Sequence, residues 1–459
     1  MASLFSSNTG PIRLLEAGAG VGSLIGAFLN KWGTTNCAVW AYEIDNFLSS
    51  SLRETLAKYV GQSFETTIVQ RDFIEDSVFR LKLGNHPRFT RAILNPPYKK
   101  INTDSTHRAL LRAVGLETVN LYAAFVGLAL ELMSDGGEVV AIIPRSFCNG
   151  LYYRPFRHWL LEKSAIEQIH LFHSRTRAFS DDAVLQENII LKLVRGGKQR
   201  RILVTTSSDT DFTDLQRHVY EFSDIVDPTN PQLFIHVPLS PDRSGINGLK
   251  CLPRSLKEIG LEVSTGPVVD FRLKKYLRSN SGENTVPLLY ASHFVKGKMQ
   301  WPREMKKPNA LVQCPETTKW LYPSGFYTVV RRFSSKEERH RVVAHVVDPE
   351  QLQSSAIGFE NHLNVFHSGK KGLETDVAHG LAVFLNSTIV DDYFRRFSGH
   401  TQVNATDLRL LKYPDTETLI KLGRWAQKQE HLTQTLIDSE IEGLWRAKSN
   451  DNRRTDQDC

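Results

Sequence analysis

The chain has 459 residues, with 57 Lys and Arg against 50 Asp and Glu and 41% hydrophobic residues. That composition excludes a disordered or collagen-like chain, and no apolar run is long enough for a membrane helix. Five scattered cysteines without a CxxC pair argue against a disulfide framework and a structural zinc, so no metal is expected.

The start, Met1-Ala2-Ser3-Leu4-Phe5, lacks the basic end and apolar core of a signal peptide. The expectation is a soluble, cytoplasmic protein of two domains. A formal charge of +7 permits a nucleic-acid partner without demanding one.

Ile12 to Leu15 reads as a strand running into a glycine turn. Cys37 to Tyr42 is a second strand, and Leu48, Leu52, Leu56 and Tyr59 then mark an amphipathic helix. Thr66 to Gln70, Arg91 to Leu94 and Glu138 to Ile143 are further strands. A helix over Tyr122 to Met133 is stopped by Ser134-Asp135-Gly136-Gly137. This alternation predicts an α/β fold with a mostly parallel, doubly wound sheet. The pattern breaks near Arg195 to Arg200, a polar run follows at Thr205 to Asp211, and Pro238 to Gly248 resembles a linker. Beyond it the chain reads as mixed α+β. The expected division is 1–238, 239–446 and a frayed polar tail, 447–459.

Glu16, Glu43, Asp72 and Asn95 close successive strands, at separations of 27, 29 and 23 residues. In an open parallel sheet such strand ends line one cleft. After Glu16, Gly18, Gly20 and Gly22 allow a tight turn close to a ligand. The GxGxG spacing is not that of dinucleotide enzymes, and no phosphate-binding Lys follows. A tight turn without a ligand is the competing reading. A carboxylate at Glu43 can accept two ribose hydroxyls. Asp45 competes for that role, and as an alternative caps the next helix. Asp72 is placed to accept from an adenine amino group, or is a solvated strand-end acid. Asn95-Pro96-Pro97-Tyr98 follows the fourth strand. Its two prolines remove N–H donors and leave a rigid pair of acceptors beside an aromatic face, which suits a planar substrate carrying an NH₂ group.

The glycine loop together with NPPY resembles the S-adenosylmethionine-dependent amino-methyltransferases. Phe179 to Ile190 (FSDDAVLQENII) resembles the segment that supplies a base-stacking phenylalanine in adenine-N6 DNA methyltransferases. Arg331 to Glu338 and Gly399 to Arg409 resemble C-terminal segments of the BsuBI/PstI type of modification methyltransferase. The resemblance implies a Rossmann-like class I methyltransferase sheet followed by a target-recognition domain. It implies that Gly18, Gly20 and Gly22, with Glu16 nearby, cradle the methionine end of S-adenosylmethionine. Glu43 would hold the ribose and Asp72 the cofactor's adenine. Asn95 and the Pro96 carbonyl would bind the target N6 within the rigid Asn95-Pro96-Pro97-Tyr98 unit, and Tyr98 and Phe179 would sandwich a flipped base. The implied partner is double-stranded DNA, with a short palindrome such as CTGCAG as target.

No PD…ExK nuclease pattern stands out. The expectation is therefore modification by a monomer, with the restriction endonuclease on another chain. Basic residues such as Arg272, Lys274, Lys275, Lys307, Arg331 and Arg395 recur through 239–446, where they would meet phosphates. A protein glutamine-N5 methyltransferase also carries NPPY, but without so long a basic C-terminal part. A DNA-binding remnant that has lost its cofactor is the third reading.

Two departures stand out. Ala17 replaces a Phe common in adenine methyltransferases, and only fifteen residues precede Glu16, where such enzymes carry a segment that closes over the methionine end. Met1 to Phe5 reads as the middle of a helix. The expectation is a shortened chain that binds cofactor weakly. Calorimetry giving micromolar binding or better would refute it.

Overall fold

The computed structural model describes residues 1–7, 10–59, 61, 63–172, 187–208, 211–228, 230–238, 252, 254–295, 297–334, 338–397 and 402–455. Of 396–397 and 445–455 only the backbone is described. The chain divides into two compact units, Met1–Pro241 and Asp242 onward, with Arg396–Gly399 grouped with the first.

The first unit is built on a sheet of nine strands among the described residues. Its elements in chain order are β1 (Ile12–Ala17), α1 (Ser23–Trp32), β2 (Cys37–Tyr42), α2 (Asn46–Leu56), β3 (Phe64–Val69), α3 (Phe73–Leu83) and β4 (Phe89–Leu94). There follow α4 (Thr106–Arg112), α5 (Leu121–Leu132), β5 (Met133–Pro144), α6 (Arg154–Lys163), β6 (Ser164–Phe172), β7 (Asn188–Arg195), β8 (Ile202–Ser207) and β9 (Gln216–Tyr220). The strand order is β3-β2-β1-β4-β5-β7-β6-β8-β9. Strands β1 to β5 are parallel, and β7 runs antiparallel between β5 and β6. This is the Rossmann-like methyltransferase sheet expected from the sequence.

Alternation along each strand feeds two cores. Leu14 joins Ile25, Phe28, Leu52 and Val140 on one face. Leu15, its neighbour, joins Phe73, Val78, Phe89 and the residues of α5 on the other. Helix α5 is buried almost all round, which is why its sequence shows so little polar punctuation.

Several boundaries differ from expectation. The Ser134-Asp135-Gly136-Gly137 stretch does not form a free turn; it belongs to β5, beside a register shift between Phe89 and Arg91. The sheet also continues through the region read as a break and a polar run. Thr205, Thr206 and Ser207 are buried in β8, where His170 on β6 pairs its Nδ1 with Thr205 Oγ1 (2.9 Å) and its Nε2 with Ser207 Oγ (3.2 Å). Hydroxyls satisfied in this way sit inside a sheet at little cost, so polarity alone misread the strand. Residues 447–455 continue the helix Gln434–Thr455 rather than fraying.

The N-terminal residues form a single 3₁₀ turn, Ala2–Leu4, not the middle of a helix. They are fastened beneath the sheet. Phe5 packs edge-on against Phe28, and Trp32 Nε1 donates to the Ala2 carbonyl. The Ser6 amide and hydroxyl donate to Glu138, which also pairs with Arg91 (3.3 Å) and Lys192 (2.9 Å).

In the second unit a four-stranded sheet runs Glu262–Thr265, Leu363–His367, Tyr327–Arg331, Ala344–Val347. A five-stranded sheet runs Leu277–Arg278, Ala310–Val312, Thr285–Leu289, Ala356–Phe359, Leu321–Pro323. Helices Thr375–Leu385 and Thr416–Ala426 cross so closely that a Cβ on Gly380 would lie 1.8 Å from the Leu419 carbonyl oxygen. A Cβ on Gly423 would lie 1.8 Å from that of Asp376. Lys307 is paired with Asp270, Arg331 with Glu338 and Arg395 with Asp391, so these basic residues are engaged within the unit.

Burial alone would raise the Glu138 carboxyl, but the Ser6 and Lys192 contacts prevail and hold it below its usual range. Glu138→Ala strands the nearly buried Arg91 and leaves Lys192 with the Glu167 carboxylate, and should cost about 3 kcal/mol in urea unfolding at neutral pH. A carboxyl lowered by folding stabilises fully above the ordinary carboxylate range and stops doing so as pH falls through its folded value. The gap between wild type and variant should therefore narrow in acid. An equal gap at all pH values would remove this role.

Candidate active site

The ends of β1 to β5 surround a cavity of about 620 Å³ within the first unit. It is lined by Gly18, Gly20, Tyr42, Glu43, Asp72, Phe73, Asn95, Pro96, Pro97, Tyr98, Phe125, Ile142 and Asn188, among others. Most of the residues singled out in the sequence thus share one space. Glu16 and Gly22 are not among its lining residues.

Glu16 instead caps α1. It is 2% exposed, and its Oε2 accepts from the Ile25 amide at 3.1 Å. Burial pushes its carboxyl well up; the Ile25 amide opposes this, and the charge of Glu43 adds to it. Gly22 precedes α1 at φ +84, and a Cβ there would lie 2.7 Å from Leu52 on α2. Glycine there lets the two helices lie close. Gly20 differs: at φ +55 a Cβ would meet nothing within 4 Å, so its backbone borders open space.

Glu43 shapes the loop. Its Oε2 accepts from the Gly20 amide (2.8 Å) and its Oε1 from the Asp45 amide (2.9 Å). Asp45 takes the alternative the sequence allowed and caps α2, accepting from the Leu48 amide at 3.0 Å. Asp72 both caps α3, through the Glu75 amide at 3.0 Å, and lines the cavity. Its Oδ2 lies 3.2 Å from His107 Nε2 on α4.

At the other end, Asn95 is exposed, Pro96 is buried and Tyr98 is half-buried. The Tyr98 hydroxyl lies 3.1 Å from Asn95 Oδ1 and 3.2 Å from the Ile142 carbonyl oxygen. Its ring meets Tyr122 edge-on at 6.2 Å. Tyrosine therefore sets the orientation of the Asn95 amide and ties the tetrapeptide to β5. Phe179 lies outside the described residues. Sequence reasoning missed Phe73, Phe125, His107 and Asn188. Phe73 directly follows a strand-end acid, which was a usable signal. Phe125 and His107 sit on helices whose approach to the cavity no local pattern reveals.

Over 456 residues the chain is 49% identical to "Type II methyltransferase M.BsuBI" of Bacillus subtilis, covering 97% of this chain and 91% of that one. It is 43% identical over 455 residues to "Type II methyltransferase M.PstI" of Providencia stuartii, covering 96% and 89%. The chain belongs to this family of type II methyltransferases. The model of the Eco57I restriction-modification methylase family matches residues 23–179. Among solved structures, the type IIG restriction endonuclease BpuSI aligns at 13% identity with a TM-score of 0.45, over 92% of this chain and 58% of that one. A DrdV–DNA complex aligns at 12% with a TM-score of 0.47, over 91% and 54%. This chain thus spans little more than half of either structure.

Because Glu43 clasps both the glycine loop and the following turn, Glu43→Ala should free the Gly20 and Asp45 amides. Hydrogen exchange at those two positions should accelerate roughly tenfold or more, as expected for loss of charge-assisted bonds of about 1.5–3 kcal/mol. Unchanged protection would show that the loop holds its shape without the carboxylate.

Proposed function

We propose that this chain transfers the methyl group of S-adenosylmethionine to N6 of an adenine turned out of a short, specific double-stranded DNA sequence. The methylated DNA is thereby protected from a restriction endonuclease on a separate chain. The observation that carries the reading is the single cavity with a glycine loop and two strand-end acids at one end and Asn95-Pro96-Pro97-Tyr98 at the other. Family membership supports DNA as the substrate class.

The residues present fit the cofactor. Each Glu43 oxygen has taken one amide and retains a lone pair for a ribose hydroxyl. Asp72 offers a carboxylate at the cavity wall, and Phe73 and Phe125 provide apolar sides. Gly18 and Gly20 give close backbone approach. When bound, S-adenosylmethionine supplies a methyl group already activated by its sulfonium.

The chain's own work is done at the amino nitrogen. The N6 lone pair is conjugated with the purine ring and is weakly nucleophilic. Asn95 Oδ1 and the Pro96 carbonyl accept its two hydrogens, raise electron density on nitrogen and draw the lone pair out of conjugation, toward the methyl group. Orientation of this kind is worth roughly 7–11 kcal/mol. Extruding the base costs about a few kcal/mol. Stacking returns roughly 1–3 kcal/mol per base, with Tyr98 as one face and Phe179 assigned as the other. No base of high pKa is needed: forming the N–C bond as the S–C bond breaks leaves a cationic, acidic nitrogen, which gives up one proton to solvent.

The second unit is assigned as the target-recognition domain, CTGCAG as the family-like target, a monomer as the working form and the cytoplasm as its place. No helix among the described residues is long and apolar enough to cross a membrane.

Incubation with methyl-labelled cofactor and plasmid DNA should place label on adenine N6. Label on release-factor protein instead would favour glutamine-N5 transfer, and DNA binding without label would favour the remnant reading. Asn95→Ala should lower transfer roughly a hundredfold or more, as for removal of other preorganised catalytic hydrogen bonds, and leave cofactor affinity intact. Unchanged turnover would remove Asn95 from the mechanism.

A further inference from the structure

Asn188 opens β7 opposite Pro144 of β5. It lines the cavity with Asn95, Pro96, Tyr98 and Ile142, and is 7% exposed. Its Oδ1 is shut from solvent and takes no hydrogen bond among the described residues. With Oδ1 shut away, we read Nδ2, which only donates, as the end of the amide that borders the cavity. The site therefore sets one donor beside two acceptors, Asn95 Oδ1 and the Pro96 carbonyl.

The two acceptors alone recognise an amino group. A donor beside them asks for more, namely an unprotonated ring nitrogen next to that amino group. Adenine meets this on both sides of N6, with N1 and N7. Cytosine meets it on one side of N4 only. Guanine and thymine present a carbonyl oxygen where the amino group is required.

We propose that Asn188 is a third base-reading residue of this site: its Nδ2 donates to the ring nitrogen beside the amino group, fixing the plane of the base and rejecting keto bases. The inference rests on the adenine-N6 reading above and deepens it.

The test is steady-state methylation of plasmid DNA from a host without adenine methylation, by wild type and by Asn188→Ser, Asn188→Ala and Asn188→Asp. Cofactor affinity is followed by calorimetry, and unfolding temperature in parallel. Ser keeps a donor, Ala removes it, and Asp keeps the volume but offers lone pairs where a donor is needed. The expected order of kcat/KM for DNA is wild type, Ser, Ala, Asp. The fall should reach roughly tenfold or more at Ala, with cofactor affinity unchanged. A space-filling role would make Asp the mildest change. That order overturns the proposal, as do wild-type kinetics for Ala or a parallel loss of cofactor affinity. The comparison of Ser with Ala decides the matter should the aspartate variant not fold. N6-methyladenine from wild type with a flat variant series sinks this inference alone. Wild type that leaves adenine N6 unlabelled sinks the functional reading beneath it.

Discussion

A single carboxylate, spread over two backbone amides, holds one end of the cavity in shape. Glu43 takes the Gly20 amide through one oxygen and the Asp45 amide through the other, and is only 7% exposed. The loop after β1 and the turn after β2 cannot part without stranding a nearly buried charge, which is far costlier than losing a surface contact. The glycines make the loop possible, but glycine favours many shapes; the acid selects one. Every chemical role assigned along that wall presumes this selection.

The same economy recurs along the sheet edge. Glu16, Asp45 and Asp72 each accept from an amide in the first turn of the helix that follows. Capping and cavity lining are therefore not rival explanations for a strand-end acid. Asp72 does both, because a carboxylate has two oxygens: Oδ1 takes the helix amide, while Oδ2 meets His107 and the group still lines the cavity. Glu16 is not among the cavity's lining residues and caps α1, where burial pushes its carboxyl well up.

How legible this was depended on how local the signal was. β1 to β5 were readable because apolar runs alternate with helical periods, and the NPPY tetrapeptide announces its own stiffness. The cavity residues fell at the strand ends because strand–helix units are nearly constant in length. What escaped was set by distant partners. Thr205 and Ser207 looked like loop until His170, more than thirty residues away, was seen to satisfy them. His107 meets Asp72 from another helix, and Asn188 gains meaning only from an oxygen that no described residue engages. The helix does stop before Ser134, but the glycines that follow belong to an irregular stretch of β5, since glycine serves an irregular strand as readily as a turn.

The helix crossing in the second unit sets a different kind of limit. At Gly380 and Gly423 each backbone occupies the volume where the other's first side-chain carbon would begin. Neither position can take even alanine without driving the pair apart, and both changes would press on the same contact. Substitutions elsewhere in that unit would leave this crossing untouched. Its two bare positions mark where the helix pair has no freedom at all.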